Sequence, residues 1–169
     1  MIIKENLLPE KSLNRPCHKL RSKTAVVIHY VGNPNTSPSA NINFWRNRKD
    51  YGSAHVVIGI DGSIEQAIPF DEVAYHAGTS GVTKIGSLTT PNNFNDHSVG
   101  IELCHVAWTS GYSKETLETL DEVLRELKQQ GFEYLLIHGE VTGKACDYWF
   151  RNNRDELDLL AVRHGYKRP

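Results

Sequence analysis

The sequence predicts an α/β fold in which a mixed central β-sheet is flanked by helices. Apolar runs rich in β-branched residues alternate along the chain with stretches of helical periodicity, a pattern typical of a sheet covered by helices. One pair of these runs flanks Asp61-Gly62, which predicts an antiparallel hairpin. The chain has 169 residues and no linker rich in Pro, Gly or Ser, so a single domain spanning residues 1–169 is expected.

The first half of the chain yields a lead-in, a strand, a helix and the hairpin. Residues 1–22 show no periodic pattern and are predicted to be an irregular lead-in. Residues 24–30 (TAVVIHY) form a β-branched run typical of a strand buried on both faces. Residues 37–50 start with Ser and Pro, which favour a helix start, and continue with apolar residues at helical spacing. The two hairpin strands are then AHVVIGI and SIEQAI.

The second half contains a polar loop, two more strands and two helices. Residues 77–97 are rich in turn-forming residues and are predicted to be a long surface loop, which in a compact domain often marks a functional segment. SVGIELC and YLLIH are short apolar runs that predict strands. SKETLETLDEVLRELKQQG combines a capping Ser, a stripe of Leu residues and a closing Gly, which indicates a helix. RDELDLLAVRHG predicts a short final helix.

The composition argues against nucleic-acid and membrane partners. The chain has 19 Lys and Arg residues against 20 Asp and Glu residues, so it offers no excess of positive charge to nucleic acid. No apolar run approaches the ~20 residues of a membrane span, so no membrane insertion is expected. The N-terminus carries acids and Pro where a signal peptide needs an apolar core, which predicts synthesis in the cytoplasm without a signal peptide. Three widely spaced cysteines indicate free thiols rather than a disulfide framework.

Three potential metal ligands follow or end the predicted strands. His29 and His138 lie at the carboxyl ends of two separate strands, and Cys146 follows His138 by eight residues. Two imidazoles and a thiolate are ligand types that zinc prefers, and three protein ligands with one open position are typical of catalytic zinc. The chain has no CxxC pair from which a four-ligand structural site could be built. The pattern therefore predicts a catalytic zinc site.

Two further residues have the chemistry that such a site needs. Glu102 lies within an apolar strand, and a partly desolvated carboxylate has a raised pKa suited to proton transfer. Lys144 precedes Cys146 by two residues and is placed to stabilise an oxyanion. Each residue alone also has a structural explanation: a packed His, an inert Cys, a solvated Lys, or a Glu paired with an Arg. The functional interpretation depends on their joint occurrence.

Five segments in order resemble one known family. VVIHYVG, AHVVIGIDGSI, AYHAG, HSVGIELC and HGEVTGKAC are similar to segments of the zinc-dependent N-acetylmuramoyl-L-alanine amidases of type 2. That family includes phage endolysins and bacterial autolysins, and animal peptidoglycan recognition proteins are its relatives. The resemblance covers about residues 14–150. It implies the fold of that family, peptidoglycan as partner, and hydrolysis of the amide between the lactyl group of N-acetylmuramic acid and L-alanine.

The resemblance implies a role for each site residue. His29, His138 and Cys146 match the three zinc ligands, so Zn²⁺ is the implied cofactor. Glu102 matches the catalytic acid, which is implied to pass the proton of the attacking water to the departing nitrogen. Lys144 matches the Lys that stabilises the oxyanion.

The chain also departs from the family pattern. Members usually have Pro directly after the third ligand, whereas this chain has Asp147, which is an alternative to Cys146 as ligand. Some members use a Tyr in proton transfer where this chain has Ala54, so more of that task is expected to fall on Glu102. His76 in AYHAG matches a His near the substrate cleft and is predicted to bind substrate, with plain packing as the alternative.

Two other functions stay open at this point. A non-catalytic peptidoglycan-binding receptor has the same fold, but such relatives typically lose the third zinc ligand. An unrelated zinc hydrolase is disfavoured because the chain contains no HExxH motif. The resemblance and the missing signal peptide fit a phage or prophage endolysin that reaches the bacterial cell wall at lysis, and a non-classical export route fits equally.

Overall fold

The structure is a computed structural model that describes residues 2–169. Its strands are β1 (Lys4–Glu5), β2 (Ala25–Tyr30), β3 (Val56–Ile58), β4 (Ile64–Gln66), β5 (Thr83–Ile85), β6 (Leu88–Thr90), β7 (Ser98–Leu103) and β8 (Tyr134–Ile137). Its helices are α1 (Pro38–Asn47), α2 (Lys114–Gln129), α3 (His138–Thr142), α4 (Tyr148–Asn152) and α5 (Arg154–His164), and a 3₁₀ helix spans Phe94–His97.

Six strands form one mixed sheet in the order β1-β4-β3-β7-β2-β8, and the predicted α/β class is confirmed. β2 lies between β7 and β8 and runs parallel to both. β3 and β4 form the predicted antiparallel hairpin, in which Gly62 has a φ of 78° that favours glycine. β1 pairs in parallel with β4, so part of the lead-in is an edge strand and not irregular. Two residues are too few to give a periodic pattern.

Side chains alternate along the central strands, so one face of the sheet packs against α2 and the other face carries the site. Val26 and Ile28 of β2 pack in one core cluster with Leu120 and Leu124 of α2. Each fully buried aliphatic side chain of this kind stabilises the fold by about 1.5–3 kcal/mol. His29 projects to the opposite face because successive strand residues alternate.

The segment from residue 77 to residue 97 is more ordered than the predicted surface loop. β5 and β6 form a separate antiparallel hairpin, and the 3₁₀ helix leads directly into β7. Leu88 and Phe94 are buried with Val27 and Leu136 on the site face of the sheet. This packing explains why a polar, turn-rich segment lies against the core. The loop prediction is wrong for these residues.

The helices after β7 are those predicted, with two short additions. Ser113 accepts a hydrogen bond from the backbone of Thr116 and caps α2, and α5 ends at Gly165 in the left-handed conformation. α3 and α4 have five residues each, too few to show helical periodicity in the sequence. Within residues 2–169, no helix combines the length and apolar character needed to cross a bilayer.

Candidate metal centre

The carboxyl ends of two neighbouring parallel strands bring the histidines together. In β2, His29 pairs in register with Glu102 of β7, and Ile28 pairs with Ile137, the last residue of β8. His138 follows Ile137 directly and opens α3. Parallel strands end at the same edge of a sheet, so the two imidazoles converge there. Their ring centroids lie 4.6 Å apart.

Cys146 returns to this edge through a close backbone approach. The backbone N–H of Gly139 donates to the carbonyl oxygen of Cys146. A Cβ on Gly139 would lie 2.8 Å from the carbonyl oxygen of Lys144 and 3.1 Å from that of Cys146. Only glycine permits this approach without a shift of the backbone. The Tyr30 hydroxyl also donates to the carbonyl oxygen of Ala145, at 3.1 Å.

The three donor atoms form a group that fits a zinc ion. One ligand atom each from His29, His138 and Cys146 lie within 4.8 Å of one another, and His29 Nδ1 is 3.9 Å from Cys146 Sγ. Tetrahedral zinc with nitrogen and sulfur ligands requires separations of about 3.3–3.6 Å between donors. A small contraction satisfies this requirement. No second group of this kind occurs in residues 2–169.

The protonation of these groups suits a metal site. Burial, aided by the neighbouring imidazoles, lowers the pKa of His29 well below its ordinary value. Burial and then the charge of Lys144 lower the pKa of His138 to about 4. Both rings are therefore neutral near pH 7, as metal ligands must be. Burial raises the pKa of the Cys146 thiol, so a metal ion must displace a proton to bind it.

Glu102 has a buried carboxylate oxygen without a partner. Its Oε2 has no hydrogen-bond partner within residues 2–169, although buried polar atoms normally have one. Burial, and then the nearby charge of Asp147, raise the pKa of Glu102 to about 8. The carboxyl is therefore able to exchange a proton near neutral pH. The unpaired Oε2 also argues against the structural alternative in which Glu102 pairs with an Arg.

A cavity of 370 Å³ is lined by all six residues that were predicted from the sequence to form the site. They are His29, His76, Glu102, His138, Lys144 and Cys146. Lys144 is an exposed side chain of the cavity wall. Arg48, Tyr51 and Tyr75 line the same cavity from other segments, and no motif in the sequence pointed to them. A larger groove of 720 Å³ beside α2 holds none of the six residues.

His76 contacts a metal-ligand candidate directly. Its Nδ1 lies 3.0 Å from Nε2 of His29, and its Nε2 lies 3.3 Å from the carbonyl oxygen of Ser98. Burial, followed by the charge of His55, lowers the pKa of His76 well below its ordinary value, so this ring is neutral too. Both ring nitrogens are thus engaged within the protein. Contact of His76 with substrate stays a prediction, and it would involve the carbon edge of the ring.

Asp147, the alternative third ligand, has both carboxylate oxygens engaged by other groups of the protein. Its Oδ1 accepts a hydrogen bond from the backbone of Phe150 at 3.2 Å and caps α4. Its Oδ2 accepts a hydrogen bond from the Tyr112 hydroxyl. Both oxygens therefore have partners, and the donor group includes Cys146 and not Asp147.

Comparison with known proteins identifies the family. Residues 20–155 match the family model described as N-acetylmuramoyl-L-alanine amidase. N-acetylmuramoyl-L-alanine amidase BlyA of Bacillus subtilis strain 168 is 26% identical over 169 residues, covering 94% of this chain and 46% of the relative. The chain thus spans less than half the length of that relative.

Solved structures share the fold over nearly the whole chain. The catalytic domain of XlyA superposes with a TM-score of 0.73 at 21% identity, covering 95% of this chain and 99% of that domain. A mutant endolysin from Bacillus subtilis gives a TM-score of 0.72 at 21% identity, covering 94% of this chain and 97% of the other. At these identities the likeness concerns the fold alone.

Proposed function

The chain belongs to the N-acetylmuramoyl-L-alanine amidase family, and we propose that it hydrolyses the amide between the lactyl group of N-acetylmuramic acid and L-alanine in peptidoglycan. The observation that carries this proposal is the unpaired carboxylate of Glu102 in one cavity with the His29, His138 and Cys146 donor group. A base beside a three-ligand metal site is the arrangement that metal-assisted hydrolysis requires.

Zinc is the proposed cofactor, held by His29 through Nδ1, by His138 and by Cys146. When bound, the ion supplies Lewis acidity that polarises the amide carbonyl and acidifies a water molecule. The low pKa values of the two imidazoles keep both rings available as ligands near neutral pH. The pairing of β2 with β8 brings the two histidines to one sheet edge. The close contact between the backbones of Gly139 and Cys146 holds the thiol beside them.

Glu102 is the proposed proton-transfer residue. Its carboxylate accepts a proton from the attacking water and then donates it to the departing nitrogen of L-alanine. In the metal-free protein burial raises the pKa of Glu102 to about 8, so its carboxyl holds a proton more readily than an exposed glutamate does, which supports this role. Its Oε2 has no hydrogen-bond partner within residues 2–169 and is therefore available for this exchange.

Lys144 is proposed to stabilise the charge that develops on the amide oxygen. Lys144 lines the same cavity as His138 and Cys146, and its charge contributes to the lowered pKa of His138, which supports this role. A preorganised cation in a partly desolvated site stabilises an oxyanion more strongly than it would in water. His76 is proposed to contribute to the substrate cleft through its ring edge.

The test is product analysis on purified cell wall. We expect new L-alanine amino groups without new reducing sugars, and loss of this release on treatment with a chelator. Glu102→Gln should lower the rate by about 10²- to 10⁴-fold, the usual contribution of a positioned acid–base group. Glu133→Gln, an exposed carboxylate outside the cavity, is the matched control and should retain the rate. Release of reducing sugars instead would identify a glycosidase and overturn the proposal.

The receptor alternative predicts a different result. A non-catalytic binder would retain wall binding in the chelator without releasing amino groups. The complete donor group argues for the enzyme, since it predicts one zinc per chain that is lost in Cys146→Ser. We further propose that the protein is a phage or prophage endolysin that acts on the bacterial cell wall. A mutant endolysin from Bacillus subtilis is among the solved structures that share its fold.

A further inference from the structure

The surroundings of His76 fix which of its nitrogens carries hydrogen. Its Nε2 lies 3.3 Å from both the carbonyl oxygen and the Oγ of Ser98. Ser98 Oγ donates its own hydrogen to the carbonyl oxygen of Phe94 at 2.8 Å. A carbonyl oxygen only accepts, and this hydroxyl has no second hydrogen to give. The hydrogen shared between His76 and Ser98 therefore lies on Nε2 of His76.

This assignment determines the tautomer of His29. A neutral imidazole carries one N–H, so Nδ1 of His76 is an acceptor. Nε2 of His29, 3.0 Å away, must then be the donor. The remaining nitrogen of His29, Nδ1, has a free lone pair and faces Sγ of Cys146 at 3.9 Å. A chain of hydrogen bonds from Ser98 through His76 thus prepares His29 to bind a metal through Nδ1.

The position of the His76 ring depends on a glycine in the neighbouring strand. A Cβ on Gly100 of β7 would lie 2.6 Å from Cγ and 2.8 Å from Nδ1 of His76. The backbone N–H of Gly100 donates to Nδ1 of His55 at 3.0 Å, so the strand itself is held in place. Asn95 Oδ1 accepts the backbone N–H of His76 at 3.1 Å. The ring is therefore seated in a slot that any larger residue at position 100 would fill.

We propose that His76 is a positioning residue that fixes His29 as the Nε2–H tautomer and directs its Nδ1 toward the metal. The inference rests on the proposed function only for the identity of the metal. It requires no contact between His76 and substrate. Partners that accept the second N–H of a ligating histidine typically control metal affinity by about 10- to 100-fold.

Three substitutions at His76 separate this role from simple packing. His76→Leu removes the acceptor while retaining bulk. His76→Asn places a carboxamide at the position of Nδ1 and can accept from His29. His76→Gln places its carboxamide at the position of Nε2 and leaves His29 without an acceptor. We expect zinc affinity to fall by about 10- to 100-fold in the Leu and Gln variants and to recover largely in the Asn variant.

The measurement is the zinc dissociation constant, determined by competition with a chromophoric chelator in the absence of peptidoglycan. Nitrogen-15 NMR of histidine in the wild-type protein is the second readout and should show N–H at Nε2 in both His29 and His76. Equal zinc affinity in His76→Leu and wild type would overturn the inference. So would an Nδ1–H tautomer of His29 in the metal-free protein.

A variant that keeps the His76 side chain guards against a folding artefact. Gly100→Ala should displace the ring and weaken zinc binding. Gly32→Ala adds a methyl group to the wall of the same cavity, where it meets nothing within 4 Å, and should leave zinc binding unchanged. The zinc dissociation constants of the two variants are compared at temperatures equally far below their melting temperatures. If the wild-type protein binds zinc and the variants show the expected affinities, but the wild type cleaves no amide, the proposed function is refuted and the inference stands. If the wild type cleaves the amide but the variants do not show the expected zinc affinities, only the inference is refuted.

Discussion

Glu102 and the two histidines of the donor group are costly to bury without a metal or a substrate. A buried carboxyl oxygen without a partner destabilises the fold, and so does the loss of solvation that the two imidazoles undergo. Proteins retain such groups where function requires them, and perturbed pKa values cluster at functional sites for the same reason. The raised pKa of Glu102 and the lowered pKa of His138 are thus two consequences of one desolvated cavity.

At this scale, Glu102 predicts a pH dependence of stability in the metal-free protein. Its pKa rises from 4.5 in the unfolded reference to about 8 in the fold. The folded state therefore holds its proton more tightly, and stability falls as pH rises from about 4.5 to about 8. Glu102→Gln lacks this loss. Since one pKa unit corresponds to about 1.4 kcal/mol, the variant should gain a few kcal/mol relative to wild type across that range.

Urea unfolding in the presence of a chelator at several pH values measures this difference. Taking the difference between variant and wild type removes the contribution of the buried histidines. Their lowered pKa values act in the opposite direction, because they reduce stability as pH falls below about 6.5. A difference between Glu102→Gln and wild type that is independent of pH would contradict the raised pKa.

At the residue scale, the site residues could be predicted from the sequence, but the side chains that they contact could not. His29, Glu102 and His138 were accessible because each follows or interrupts an apolar strand, where a polar residue needs an explanation. The partner of His76 was not accessible. AYHAG has no strand or helix pattern, and its contact with His29 depends on the slot at Gly100, which only the assembled sheet reveals.

At the scale of elements, the site depends on two parallel pairings and one short helix. β2, β7 and β8 deliver His29, Glu102 and His138 to one edge through their register. α3 then reverses the chain so that Cys146 returns beside Gly139. The strands provide rigid positions, while the third ligand depends on the close contact between backbones at the start of α3.

Gly139→Ala tests the contribution of this contact. Alanine is the better helix former, by about 0.5–1 kcal/mol, so propensity alone predicts a slightly more stable α3. The added Cβ would meet the backbone carbonyls of Lys144 and Cys146 at 2.8 and 3.1 Å. We therefore expect the segment that carries Cys146 to shift and zinc affinity to fall, with the fold retained. Zinc titration together with circular dichroism checks this, and unchanged affinity would contradict it.

The sequence predicted the elements that have a clear local signal and missed those without one. The short strands β3 and β4 were predicted because Asp61-Gly62 marks the turn between them. β2 and β7 are long enough to show as apolar runs, and α2 is long enough to show a period of 3.6. α3 and α4 span little more than one turn, and β1 is a strand only because β4 lies beside it. The β5–β6 hairpin is polar and turn-rich, so its order comes from packing against Val27 and Leu136 and not from local preference.

At the scale of the whole molecule, the donor group links parts of the chain that are distant in sequence. His29 belongs to the early strand of the sheet, whereas His138 and Cys146 lie more than 100 residues later. An ion bound by all three joins these parts in the folded state only. Zinc binding should therefore stabilise the whole fold, because the unfolded chain does not offer the same site.

The size of this effect can be estimated from mass action. Free zinc at about 100 times the dissociation constant stabilises the folded state by about 2.7 kcal/mol. In a domain of this size each kcal/mol raises the melting temperature by about 2–4 °C, so a rise of about 5–10 °C is expected. Thermal denaturation with and without zinc measures it. Cys146→Ser should lose most of the shift, whereas Cys17→Ser, which alters a thiol outside the donor group, should retain it. An equal shift in both variants would mean that zinc stabilises the protein elsewhere, and the link between the sheet edge and the late thiol would then have no energetic basis.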